Sequence, residues 1–289
     1  MKRAAMMVAV LGMVACGLAQ NGSAQSNSKP AGQSNAQTTT ATPTTGQAAP
    51  AGKRPPQAKT QAEFDAYKTA IAIEDPAQQE KAAADFAAKF PDSELRPVLY
   101  KSVMHAYQKA NNGDKMMETA QKVLSYDADD PEALLGVSQV LAERTRDTDL
   151  DRDQRLDEAK KDAERALATV DTDLPTAGYP PEQLKAFKDF LRSDAYAILG
   201  TLDFDKKDWT DAESDLRKSI DAFPQQVDPI AVFRLSVSLD MQNKYPEALK
   251  YANQAVALTK EGTPAGDAAR KEKDRLTQLT GGSAPPPAK

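Results

Sequence analysis

One cysteine and one histidine, Cys16 and His105, are all that the chain has of either residue. A zinc site of the Cys/His type needs several such ligands, so none can be assembled within one chain. Cys16 stands near the start, so the body that follows holds no thiol to pair in a disulfide. A Ser-His-Asp arrangement could draw only on His105, and no nucleophile elbow lies near it. There is no glycine-rich phosphate loop. A basic excess is missing too: 37 Lys and Arg against 42 Asp and Glu leave a formal charge of -5, which argues against a general binder of phosphate backbones. The carboxylates fall mostly on polar helix faces, and no pair stands out for acid/base work. The expectation is a chain without enzymatic activity, without cofactor or metal, and without a nucleic-acid partner.

What is present is alanine together with Lys, Glu and Asp, few β-branched runs, 40% hydrophobic residues and only 6% aromatics over 289 residues. That mixture favours helix throughout. The start differs from the rest. Lys2-Arg3 followed by AAMMVAVLGMVACGLA is a basic and then an apolar region, read as a secretory signal over residues 1–19. Two ways of cutting it stay open. One is ordinary cleavage after Ala19 or Ala24; the other follows from Met13-Val14-Ala15-Cys16-Gly17, which resembles a lipobox and would make Cys16 a lipidation site. The expected location is the periplasm or cell envelope, with contact to a membrane only through such an anchor. Residues 20–60 are Ser/Thr/Gln/Asn/Ala/Pro/Gly-rich and read as a disordered low-complexity linker. Residues 61–280 read as a helical repeat domain, and 281–289 as a disordered tail.

Within the helical part, apolar stripes at helical spacing alternate with polar turns. Tyr100, Val103, Met104 and Tyr107 are followed by a turn at NNGDK and then by Met116, Ala120, Val123 and Leu124. Pro131 opens the next helix behind Asp130 as N-cap, with Leu134, Val137, Ser138 and Leu141 in it and Ala159, Ala163 and Ala166 in its partner. An insertion around RTRDTDLDRD separates those two helices. Its Asp147, Asp149, Asp151 and Glu158 match places 1, 3, 5 and 12 of a calcium loop. Arg152 stands where such a loop needs glycine, so a solvated insertion is the default reading.

The most regular stretch is Tyr196 to Pro224, YAILGTLDFDKKDWTDAESDLRKSIDAFP. Leu199-Gly200 lies in one helical segment and Ala212 in the next, followed by Leu216, Ser219 and Pro224. This pattern resembles the tetratricopeptide repeat, the 34-residue helix-turn-helix unit, and YPEALKYANQAVAL from Tyr245 to Leu258 is its second strongest match. The alternative is an unrelated helical bundle with Ala-rich seams. Asp203 departs from the family, which has tyrosine there. The resemblance implies an all-α, right-handed superhelical solenoid, closed by a polar capping helix with Leu276 and Leu279 on its inner side.

The resemblance also implies a role, which is to hold an unidentified protein or peptide in a concave groove lined by the first helix of each pair. Carried onto this chain, the groove positions include Lys101, His105, Gln108 and Lys109 in one unit and Leu135 and Gln139 in the next. The later units supply Thr201 and Phe204, then Phe233 and Val237. A carboxylate clamp of the chaperone-cofactor type is not implied, because His105 and Gly136 replace its two asparagines. The expected function is thus that of an exported protein-protein interaction scaffold. The alternatives are a lipid-anchored outer-membrane assembly factor of the same fold and a calcium-dependent or glycan-handling exported protein.

Overall fold

A computed structural model describes residues 53–175 and 179–281. The signal segment with Cys16, most of the expected linker and the tail after Gly281 lie outside the described residues. Among those described, eleven α-helices and no strands occur. In chain order they are α1 (Gln61–Ile71), α2 (Pro76–Lys89), α3 (Arg96–Lys109), α4 (Gly113–Leu124), α5 (Pro131–Arg144), α6 (Arg152–Thr169), α7 (Pro181–Asp205), α8 (Trp209–Ala222), α9 (Pro229–Met241), α10 (Tyr245–Leu258) and α11 (Pro264–Leu279).

Helix starts are written in the sequence. Asp75, Asp130 and Asp228 cap α2, α5 and α9, each ahead of a proline in the first turn whose missing N–H costs nothing there. Thr60, Asn112, Asp208 and Thr263 cap α1, α4, α8 and α11 by accepting a first-turn N–H, with proline following only Thr263.

The ends of α3, α7 and α9 share one device. Asn111, Lys207 and Asn243 take left-handed φ values of 58°, 62° and 60°. The next residue in each case sends its N–H back five places, from Asn112 to Tyr107, Asp208 to Asp203 and Lys244 to Leu239, all at 2.9 Å. This Schellman-type closure satisfies carbonyls that the helix leaves open and reverses the chain. Its recurrence makes Tyr107, Asp203 and Leu239 equivalent positions of three units.

Three residues earlier stand Met104, Gly200 and Ser236, where the paired helices cross. A Cβ on Gly200 would fall 2.7 Å from Leu216 Cγ, so α7 and α8 meet at a distance only glycine permits. Elsewhere the crossing is made by serine: Ser138 Oγ donates to the Ala159 carbonyl at 2.6 Å and Ser236 Oγ to that of Ala248 at 2.9 Å. Ala159, Ala212 and Ala248 are fully buried opposite these residues.

Each second helix packs on the first helix of the next pair. First helices also touch one another, α1 with α3, α5 with α7, α7 with α9 and α9 with α11, while second helices show no comparable contact among the described residues. An array closer-packed along its first helices curves around them, so these helices line the inner side. One apolar cluster runs from Tyr67 to Phe223, and two smaller ones fill the C-terminal pairs. In the capping helix α11 Leu276 is fully buried, but Leu279, expected beside it, is half exposed at the last residue of the helix.

The chain is also ordered before α1. Lys53 Nζ lies 2.5 Å from Asp127 and 3.3 Å from Asp173, its N–H donates to the Thr172 carbonyl at 3.1 Å, and Arg54 pairs with Glu94. Residues 53–59 therefore lie against the body, at the loops that follow α2, α4 and α6.

Candidate functional site

The inner side divides into two chemically different halves. In the first, Lys101 and His105 stand one turn apart on α3, facing the start of α5. Lys101 Nζ is 2.7 Å from Asp130 and 2.9 Å from Glu132, and His105 Nε2 is 3.0 Å from the other Glu132 oxygen. Burial pushes the Glu132 carboxyl up, but the neighbouring Lys101 and His105 outweigh it and bring it down to about 2. Burial likewise works against the Lys101 ammonium, which Asp130 and Glu132 nonetheless hold above its ordinary value. The Tyr179 phenol is pushed up by burial and by Glu132, which sets the segment before α7 over the same cluster. Lys101 and His105, both expected to line the groove, are thus engaged by carboxylates of the next unit. Asp130 serves twice, since it also caps α5 through the Ala133 N–H.

The rest of that half offers little free surface. Gln108 is half-buried and Lys109 exposed at the end of α3. Gln139 donates to Glu143 at 3.0 Å, one turn along its own helix. Leu135, expected to line the groove, is only 3% exposed. It belongs to the main apolar cluster together with Leu174 and Phe187, because α7 starts well before its unit and packs against α5. That position is core rather than surface.

The second half is formed by α7 and α9. Thr201 Oγ1 donates to the Ala197 carbonyl at 2.7 Å and accepts from Arg234 Nη1 at 2.8 Å. The same guanidinium lies 5.9 Å from the Phe204 ring, which also meets Trp209 edge-on at 5.4 Å. Phe204, Phe233 and Val237 are half-buried, the first two against the C-terminal apolar clusters, and Met241 of the same helix as the last two is 52% exposed. Arg234 stands one place off the family offsets, which is why the sequence alone did not single it out. Asp240 is buried and paired with Arg275 of α11.

The insertion between α5 and α6 borders the same half. Burial pushes the Asp205 carboxyl up; Arg234 pulls it back and Asp147 adds to the rise, so insertion, α7 end and α9 share one neighbourhood. The acidic loop does not close on itself. Arg152 lies 3.1 Å from Asp147, Asp149 accepts from the Arg146 N–H, and Glu158 rides on α6, which already begins at Arg152. Among the described residues no three His, Cys, Asp or Glu side chains converge as a metal site would require. The loop instead carries Leu150 fully exposed at its tip. No described helix is long and apolar enough to cross a membrane.

No protein-family model matches the sequence, and no curated protein does. Among solved structures, PilF of Pseudomonas aeruginosa is similar with a TM-score of 0.50 at 15% identity, over 77% of this chain and 96% of that one. MamA (TM-score 0.36, 17% identity, 62% and 94% of the two chains) and the RpL4 assembly chaperone Acl4 (0.39, 12%, 75% and 96%) score lower. These are helical repeat structures of the tetratricopeptide type. At such identities the likeness concerns the fold, and the fold is that of a tetratricopeptide-type solenoid of paired helices.

Proposed function

We propose that the chain is a non-enzymatic scaffold of the cell envelope that binds a protein or peptide segment on the inner side of its solenoid, along α7 and α9. The observation that carries this reading is the set of half-buried apolar side chains Phe204, Phe233 and Val237 on two first helices in contact, α7 and α9. These side chains stand half-open on adjacent first helices, beside an arginine fixed by Thr201. A surface with apolar anchors and one oriented cation suits an extended or helical segment with apolar side chains and a carboxylate. The α3–α5 half, whose Lys101 and His105 are engaged within the chain, contributes mainly to shape. Export rests on the N-terminal sequence, and so does the choice between a soluble and a lipid-anchored form.

The test is comparative capture from an envelope extract with the full chain and with F233D/V237D. A partner retained by the wild type and by an outer-face variant such as K250E, but lost with F233D/V237D, supports the groove. Equal retention by all three removes it. Cys16→Ser with membrane fractionation separates the anchored from the soluble form.

A further inference from the structure

Lys53–Gln57 has the composition of a linker and yet makes specific contacts along the loops where each second helix hands over to the next unit. Lys53 reaches Asp127 and Asp173, behind α4 and α6, and its N–H bonds the Thr172 carbonyl. Arg54 turns to Glu94, behind α2, and the other oxygen of that carboxylate accepts the Gln57 N–H at 3.1 Å. Pro55 and Pro56 between them are half-buried, while Lys53 and Arg54 remain exposed. The pattern is a recognition mode: prolines hold the segment extended and bring no N–H to satisfy, their rings are half-buried, and neighbouring cations meet carboxylates on either side. Three carboxylates from three separate loops converge on five residues.

We infer that the edge carrying Glu94, Asp127 and Asp173 is a binding trough for an extended basic segment containing a Pro-Pro pair, and that this chain's own residues 53–57 occupy it reversibly. The ligand it accepts in their place is a partner polypeptide presenting a Lys-Arg-Pro-Pro type sequence. Charge complementarity names that chemistry. Reversibility follows from exposure, since side chains that are 42% (Lys53) and 65% (Arg54) accessible form ion pairs that solvent and salt weaken. The trough lies at the inter-unit loops, apart from the α7–α9 surface, so the two sites can be tested separately.

The experiment uses the full chain and a fluorescent peptide with the sequence of residues 52–59, GKRPPQAK. Polarisation should show binding to K53E/R54E, in which the trough is vacated, at least tenfold tighter than to the wild type. It should also show loss of binding to E94K/D127K and weakening in 0.5 M salt. Equal binding to wild type and K53E/R54E, no binding to K53E/R54E up to millimolar peptide, or equal binding of a GKKGGQAK control would overturn the inference. A second readout needs no added ligand. Trypsin cleavage of the Lys53–Arg54 bond should be at least fivefold faster in D127K/D173K than in the wild type, and an unchanged rate would show that the segment is not held there.

Discussion

Ser193 on α7 and Ser219 on α8 bind each other reciprocally: each hydroxyl donates to the other's main-chain carbonyl at 2.7 Å, and the two oxygens lie 3.3 Å apart. Both residues are about 1% exposed. The pair fastens the two helices of the most regular unit where no large side chain would fit. Replacing either serine by alanine removes one donated bond without creating much space. S193A or S219A should therefore each cost about 1 kcal/mol, measured as a lower urea midpoint with unchanged slope. S193L should cost more, because the side chain has to enter the crossing.

Two glycines make a sharper comparison. At Gly200 a methyl group would lie 2.7 Å from Leu216 Cγ and 3.0 Å from the Leu216 main-chain N, and the second of these cannot yield without moving α8. At Gly136 the nearest atom is the sulfur of flexible Met104, at 3.3 Å. G200A should destabilise by about 1–3 kcal/mol, in spite of alanine's better helix propensity. G136A should lie near neutral, or gain up to about 1 kcal/mol from that same propensity. If the two variants unfold at the same denaturant concentration, the close crossing of α7 and α8 is not what stabilises this unit.

The order of these crossings was legible because it depends on residues close in sequence. Gly200, Ala212, Leu216 and Ser219 sit at fixed local spacings, and so does the cap Asp130. The inner surface was less legible because its state is decided at long range. Lys101 reads as a groove position until Asp130 is brought to it from 29 residues away. Leu135 reads as lining until α7, with its extra N-terminal turns, covers the α5 face. The segment before α1 reads as linker because its contacts are 40 residues away for Arg54 and up to 120 for Lys53. Phe204, Phe233 and Val237 are half-buried on α7 and α9, two helices whose ends repeat the same left-handed closure at Lys207 and Asn243.

The Lys101–Glu132 cluster is one source of acid-dependent stability. Glu132 is held down at about 2 against an ordinary 4.5, so its contribution is present above pH ~4.5 and is lost as pH falls towards 2. Lys101 is held above 10.5, so its contribution is complete below that pH and is lost only in strong alkali. E132Q should flatten the fall in stability between pH 4.5 and 2. K101M leaves Asp130 and Glu132 buried without their ammonium and should cost on the order of 3 kcal/mol at pH 7. K101M/E132L should recover part of that loss. Urea unfolding at pH 7 and pH 3 checks all three variants.

Asp203 occupies the position held by Tyr107 and Leu239 in the equivalent units, and it is 8% exposed. Burial pushes its carboxyl above the ordinary range; Lys160 opposes the rise, while Asp215, Asp211 and Asp208 add to it. A carboxyl raised in the folded state has the opposite linkage to Glu132. At pH 3 both folded and unfolded chains hold the proton and nothing is lost. As pH rises, the unfolded chain ionises first, and the folded state is penalised by an amount that is complete once Asp203 itself has ionised. D203N removes the ionisation while keeping size and shape. It should leave the melting temperature unchanged at pH 3 and raise it at pH 7. D203L, which restores the residue type of Leu239, should raise it further by burying apolar surface against the α7–α8 seam. A D203N gain that is the same at both pH values would mean that the charge of Asp203 is relieved in the folded state and that packing alone distinguishes this layer from its neighbours.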